Sequence, residues 1–289
     1  MMSELDAAGV AVFALSYDEV DALADFREAY GITYPLLSDP DSEVIRQFGI
    51  LNTLISEDDH PWYGIPFPGS FIVNAEGLIT NKFFEHNLAL RAGPETLLRA
   101  ALGNEVDKSS AAAEPPQETQ WSVTLEGDRI AVSVLRDLVA RIEVPAGRHL
   151  YADPAPPGNV AVELVLDANP RIVSRAVSKP GSTSLTLAGT GEQIEVYEGA
   201  VELRMSLSAN TNFSEVQTET NEITLTGELR WQTCDDQTCD LPRRERFEIT
   251  VPFVGSVVSE LGHEADGALV RPMNGMQHFE RMAQRRQPE

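Results

Sequence analysis

The sequence predicts an α/β domain followed by an all-β antiparallel sandwich, and three observations carry that expectation. Over about the first hundred residues, short apolar runs alternate with stretches whose apolar residues recur at helical spacing. Between about Glu105 and Gln120 the pattern dissolves into Lys108-Ser109-Ser110-Ala111-Ala112-Ala113-Glu114-Pro115-Pro116, small and polar with a stiff proline pair, which is linker chemistry. Beyond it the apolar period becomes two, in short segments separated by Gly, Pro, Asn and Asp, as strands of a half-buried sheet read. A chain of 289 residues is long enough for two ordinary domains, each with its own core.

Within the first part, Gly9-Val10-Ala11-Val12-Phe13-Ala14-Leu15 is a continuous apolar run that suits a buried parallel strand. Ser16-Tyr17-Asp18-Glu19 has the form of a capping box, followed by Val20, Leu23, Phe26 and Tyr30 on one helical face, with Gly31 as the stop. Asp39 and Pro40 announce a second helix whose apolar face is Val44, Ile45 and Phe48 and which Gly49 ends. Ser70 to Val73 and Leu78 to Phe84 read as strands joined by the turn Asn74-Ala75-Glu76-Gly77. Pro94 opens a last helix, with Leu97, Leu98 and Leu102 inward and Gly103 closing it. The expected order is β-α-α-β-β-α.

In the second part, Trp121 to Leu125, Ala161 to Leu166, Val201 to Leu207 and Ile223 to Trp231 alternate apolar with polar residues. Several short strands at this spacing argue for an antiparallel sandwich. After Phe253 the signal fades into a tail carrying Arg281, Arg285 and Arg286, which reads as a solvated end.

Forty-five acidic residues against 22 basic ones leave a formal charge of -23, which repels a phosphate backbone or an anionic membrane. Nucleic acid is therefore not expected as a partner. No apolar run approaches the roughly 20 residues that span a bilayer, so no membrane span is expected. The opening Met1-Met2-Ser3-Glu4-Leu5-Asp6 lacks the basic start and apolar core of a signal peptide. His60 and His86 have no second ligand-type residue at metal spacing, and no cofactor or metal motif is read.

The sequence has two cysteines, Cys234 and Cys239, in Trp231-Gln232-Thr233-Cys234-Asp235-Asp236-Gln237-Thr238-Cys239-Asp240-Leu241-Pro242. They follow an alternating strand-like run. A strand entering a short polar loop can bring the two α-carbons within disulfide reach. The pair is then either a structural clasp or a redox switch, and spacing alone leaves both open. Asp235, Asp236 and Asp240 would disfavour a thiolate here, and Arg243 and Arg244 would favour one.

Residues 3 to 103 resemble the redoxin family, the peroxiredoxins of alkyl hydroperoxide reductase and thiol-specific antioxidant type. The resemblance is carried by Val12-Phe13-Ala14-Leu15-Ser16-Tyr17-Asp18, Phe26, Tyr34-Pro35-Leu36-Leu37-Ser38-Asp39-Pro40-Asp41, Phe48-Gly49-Ile50 and Pro68-Gly69-Ser70-Phe71-Ile72-Val73-Asn74. It implies a thioredoxin-like fold, here N-terminally incomplete, because the family's cysteine-bearing first strand and helix are not in the sequence. Either the start lies too far downstream, the reading we favour, or the domain has lost its chemistry. Pro68 would then be the cis-proline that faces the reactive site in such folds.

Residues 120 to 254 resemble the N-terminal domain of the thiol:disulfide interchange protein DsbD, which has an immunoglobulin-like sandwich. His149-Leu150-Tyr151-Ala152 with Pro154, Pro156 and Pro157, then Glu195-Val196-Tyr197-Glu198-Gly199, then Trp231-Gln232-Thr233-Cys234 with Cys239, Leu241 and Pro242 carry this resemblance. It implies that Cys239 makes the intermolecular bond and Cys234 resolves it, with Trp231 and Pro242 in support and His149 and Tyr151 beside the pair. It also implies an extracytoplasmic setting.

The resulting expectation is a redoxin-like domain over 1–104, a linker over 105–119, a DsbD-like sandwich over 120–255 and a tail over 256–289. Its function would be thiol-disulfide exchange through Cys234 and Cys239 with a protein partner, either the adjacent redoxin domain or a third protein. Two alternatives stand beside it. One is peroxide reduction using a cysteine upstream of Met1, and the other is a non-catalytic interaction module with a structural disulfide.

Overall fold

The computed structural model describes residues 2–56, 63–85, 90–103, 116–186, 191, 193–210, 222–235 and 237–254. They fall into two compact units, 2–92 with 100–103 and 93–99 with 116–254. His60, His86, Asp236, most of the expected linker and the tail lie outside the described residues. No helix among them is long and apolar enough to cross a membrane.

The elements of the first part are α1 (Met2–Ala7), β1 (Ala14–Ser16), α2 (Val20–Ala29), β2 (Leu36–Ser38), α3 (Glu43–Gln47), β3 (Gly69–Val73), β4 (Ile79–Phe84), β5 (Arg91–Ala92) and α4 (Pro94–Ala101). The strand expected from Gly9 begins only at Ala14. Gly9 instead closes α1, with a left-handed φ of 71° and Val10 N donating to Leu5 O at 2.9 Å, the way a glycine ends a helix. β1 pairs in parallel with β2, Leu15 against Leu37, a strand that Tyr34-Pro35 had concealed. The expected capping box does not form. Ser16 is still paired within β1, and its hydroxyl donates to the Asp18 carboxylate, so the N-cap falls on Glu19. α2 buries Ala22, whereas Val20, in its first turn, is 69% exposed.

Asp39 does cap the next helix, but from further upstream than expected. Its carboxylate accepts from the N–H of Glu43 and of Ile45, both at 2.9 Å, and α3 starts at Glu43, leaving Pro40 outside. Ile45 is fully buried and joins Tyr17 in a small core with Leu15, Ile50, Leu51 and Ile65. β3 and β4 form the expected antiparallel hairpin, closed by the Asn74 carboxamide oxygen accepting from Leu78 N at 2.8 Å. The Phe67–Pro68 peptide, expected to be cis, is trans: Pro68 runs directly into the extended β3. Among the described residues the cis peptide is Asp153–Pro154.

The second part is built from strands: β6 (Gln120–Leu125), β7 (Ile130–Ala131), β8 (Val134–Glu143), β9 (His149–Tyr151), β10 (Glu163–Leu166), β11 (Ile172–Ser174), β12 (Thr183–Thr186), β13 (Gln193–Tyr197), β14 (Ala200–Ala209), β15 (Glu222–Trp231), β16 (Thr233–Cys234) and β17 (Arg243–Val254). One sheet runs β10-β15-β17-β7; in a second, β8 lies between β6 and β14, with β11 beyond β14. Their inward residues, among them Leu138, Ala140 and Ile142 of β8, Leu203 and Leu207 of β14, and Leu225 and Leu229 of β15, meet in one apolar core. This is the period-two pattern carried into three dimensions. The outward face of β8 and β14 is polar: Arg141 pairs with Glu202 at 3.1 Å, and Ser206 donates to Asp137 at 2.6 Å.

A third sheet, β12-β13-β9-β16, carries the cysteines. Because side chains alternate, its two faces differ. His149, Tyr151, Ile194, Val196 and Cys234 lie on one face, four of them in a satellite core with Leu185 and Ala155. Leu150 and Tyr197 lie on the other and enter the main core.

Candidate functional site

The site grows from the end of β15. Trp231 is buried in the main core, 6.2 Å from the Trp121 ring, and fixes where the chain leaves the sheet. It anchors the loop from beneath. Next, the buried Gln232 ties both sides of the loop: its carbonyl oxygen accepts from Val160 N at 3.0 Å, and its amide donates to Asp240 O at 3.0 Å. Thr233 and Cys234 then pair with β9, Thr233 against Leu150 and Cys234 against His149.

Beyond Cys234 the chain folds back on itself. Asp235 N donates to Thr238 O at 2.8 Å and Asp240 N to Thr233 O at 2.9 Å, so Cys234 and Cys239 stand opposite each other between two hydrogen-bonded rungs. Such a non-hydrogen-bonded position brings facing residues closest. Here the α-carbons are 4.0 Å apart and the sulfurs are bonded at 2.07 Å. The turn is held by Asp235, whose carboxylate accepts from Gln237 N at 2.8 Å and Thr238 N at 2.7 Å, as well as from the Thr238 hydroxyl.

The two sulfurs are not equivalent. Cys234 is 0% exposed within the satellite core. Cys239 is exposed, followed by Leu241 at 85% exposure and an exposed Pro242. The Tyr151 hydroxyl lies 3.6 Å from the Cys239 sulfur. Burial raises the Tyr151 pKa above the usual tyrosine value. His149 is 2% exposed and sets its ring edge-on to Tyr151, centroids 5.4 Å apart.

Geometry answers part of the charge question raised by the acidic loop. Backbone N–H groups of Gln237 and Thr238, then the Thr238 hydroxyl and the Arg148 charge, hold the Asp235 carboxyl below the usual carboxylate range. Asp240 is paired with Arg148 at 3.0 Å, and Arg148 also donates to Thr233 O at 3.3 Å. Both carboxylates are thus compensated by groups other than the sulfurs. Arg243 lies 3.9 Å from Glu245. Sequence reasoning had not singled out Arg148, because nothing in Gly147-Arg148-His149 marks it; only the pairing of β9 with β16 brings it to the loop. Pro68 belongs to the other unit and takes no part in this cluster. Among the described residues, no group of three or more His, Cys, Asp and Glu side chains is gathered as a metal would require.

Both halves of the chain match redox families. Residues 1–82 match the model of the AhpC/TSA family, and residues 117–251 match that of the thiol:disulfide interchange protein DsbD, N-terminal. Peroxiredoxin Bcp of Escherichia coli K12 is 34% identical over 86 residues, which are 28% of this chain and 51% of that protein. The chain spans about half the length of the curated relatives it matches. Among solved structures, the DsbD N-terminal domain of Neisseria meningitidis in its reduced form is 12% identical with a TM-score of 0.31, covering 50% of this chain and 94% of that one. The N-terminal periplasmic domain of ScsB from Proteus mirabilis is 12% identical with a TM-score of 0.32, covering 60% of this chain and 56% of that one.

Proposed function

We propose that this chain carries out thiol-disulfide exchange with a protein partner through Cys234 and Cys239, with Cys239 as the sulfur the partner meets. The observation that carries this reading is the contrast in exposure between Cys239 and the fully buried Cys234. A partner thiolate attacks the Cys239 sulfur and forms an intermolecular disulfide, while the bond to Cys234 breaks and its electron pair leaves on the Cys234 sulfur. A second partner thiolate then attacks the partner's own bridged sulfur and releases Cys239. The partner dithiol ends oxidised and the Cys234–Cys239 pair ends as two thiols; the reverse sequence oxidises the pair.

Residues 1–103 contain no cysteine, so they supply no thiol to this exchange or to peroxide reduction. The partner thiol is therefore read as lying outside residues 1–103. Loop chemistry supports the reading: the acidic residues beside the pair are already engaged, and Leu241 and Pro242 offer an apolar, exposed rim beside the reactive sulfur.

Trapping tests it. A Cys234→Ala variant of the full chain is expected to attack the disulfide of an oxidised partner protein and accumulate a mixed disulfide through Cys239, and Cys239→Ala is expected to accumulate none; absence of the adduct with every disulfide-bearing protein offered overturns the proposal. The burial of Cys234 in the satellite core favours a second reading, a structural clasp. A reduction potential well below about -300 mV would mark the pair as that clasp.

A further inference from the structure

When the disulfide opens at Cys239, the electron pair is left on Cys234, which is 0% exposed and packed among Tyr151, Ile194, Val196 and Leu185. A thiolate is costly in such surroundings, so the leaving sulfur needs a proton or a positive charge close by. Solvent does not reach it. The Arg148 side chain is engaged with Asp240 and Thr233 O. Tyr151 places its hydroxyl on the other sulfur, that of Cys239.

One group stands where the proton is needed. His149 is the direct cross-strand partner of Cys234. Directly opposed residues of an antiparallel pair project from the same face with their β-carbons roughly 4.5–5.5 Å apart. The imidazole is 2% exposed and its ring lies against Tyr151. It therefore lies on the same sheet face as Cys234, beside Tyr151, whose hydroxyl reaches the Cys239 sulfur.

Among the described residues, the neighbouring elements leave little else that titrates on this face. β13 presents Ile194 and Val196 here, while Glu195 and Tyr197 alternate to the opposite face and Glu198 is exposed past the strand end. β12 contributes Leu185. From the loop, Asp235 is turned onto Gln237 and Thr238, and Asp240 onto Arg148. β9 itself adds Arg148 and Tyr151.

We propose that His149 is the proton donor to the Cys234 sulfur when the disulfide opens, and that it takes the proton back when the bond re-forms. The assignment rests on the reading of the pair as an exchange couple. In the opening step the incoming thiolate bonds to Cys239, the bond between Cys239 and Cys234 breaks, and the imidazolium proton passes to Cys234. The products are a mixed disulfide, a Cys234 thiol and a neutral imidazole. In the closing step neutral His149 accepts the Cys234 proton as that sulfur attacks the mixed disulfide. A serine or alanine at position 149 would leave the buried sulfur without this relay.

The experiment uses dithiothreitol as the attacking thiol on the oxidised full chain, following disulfide opening by mass-tagging of the freed cysteines between pH 5 and 9. Divided by the dithiothreitol thiolate concentration, the wild-type rate is expected to fall between pH 5 and 9, because the imidazolium is lost. His149→Gln and His149→Phe are expected to open about tenfold more slowly at the acidic end, with a flat profile. Unchanged rates and profiles in folded variants overturn the proposal. If neither variant keeps the wild-type near-ultraviolet circular dichroism, the wild-type profile decides alone, and a flat one overturns it. Failure of the exchange reading is separately visible: Cys234→Ala would then trap no protein partner, whatever His149 does to dithiothreitol.

Discussion

Asp235 carries a charge that the loop has already taken up. Two backbone N–H groups and a hydroxyl converge on its carboxylate, and its pKa is depressed, chiefly by the Gln237 and Thr238 N–H donors. A carboxyl held below its ordinary value stabilises the fold above that value, and the contribution is lost as pH falls through the lowered folded pKa. Acidification below about pH 4 is therefore expected to loosen the 235–238 turn, seen as faster amide exchange at Gln237 and Thr238 by NMR. Asp235→Asn keeps an acceptor but no titrating charge, so its turn should lose that pH dependence. An identical acid profile in both proteins would refute this account. At this scale the sequence disclosed the cysteines and their neighbours, since residue type and order are enough to name thiols in a polar loop. Local order gave no sign of Arg148, and the unequal roles of the two sulfurs came only from family resemblance, because both depend on which strand lies alongside.

Strands show how packing fixes what alternation leaves open. Gly227 lies within β15, paired with Leu166 of β10 and Phe247 of β17. A β-carbon there would stand 2.2 Å from Val165 O and 2.4 Å from the Phe247 ring, so the glycine serves close approach rather than a turn. Gly227→Ala is expected to destabilise the strand-built part by about 1–3 kcal/mol in urea unfolding. A neutral result would mean that Phe247 yields freely. The alternating run from Ile223 to Trp231 was legible as a strand, and β15 covers it with one residue more. By contrast, β9, β13 and β16 are short and drew no strand expectation, although their pairing builds the site. Short segments carry too little periodicity to be recognised alone. The same limit displaced β1, where an unbroken apolar run hid the helix stop at Gly9.

At the scale of the whole molecule, the change of period near residue 120 corresponds to the change from mixed elements to strands. We propose that residues 120–255 form a unit that folds by itself. Produced alone, that segment is expected to unfold cooperatively in urea and to keep the Cys234–Cys239 bond; non-cooperative melting by circular dichroism would overturn this. Both cysteines of these 289 residues lie in one loop of the second matched region.

The sequence by itself determined that this loop holds the thiols and that a strand leads into it, because both follow from residue type and local spacing. Only the tertiary structure decided that Gln232 and Arg148 brace the loop and that His149, placed beside the pair by resemblance alone, stands directly across from Cys234. The physical reason is distance along the chain: β9 and β16 lie more than eighty residues apart in sequence, and their meeting is set by the register of a sheet that local patterns do not encode.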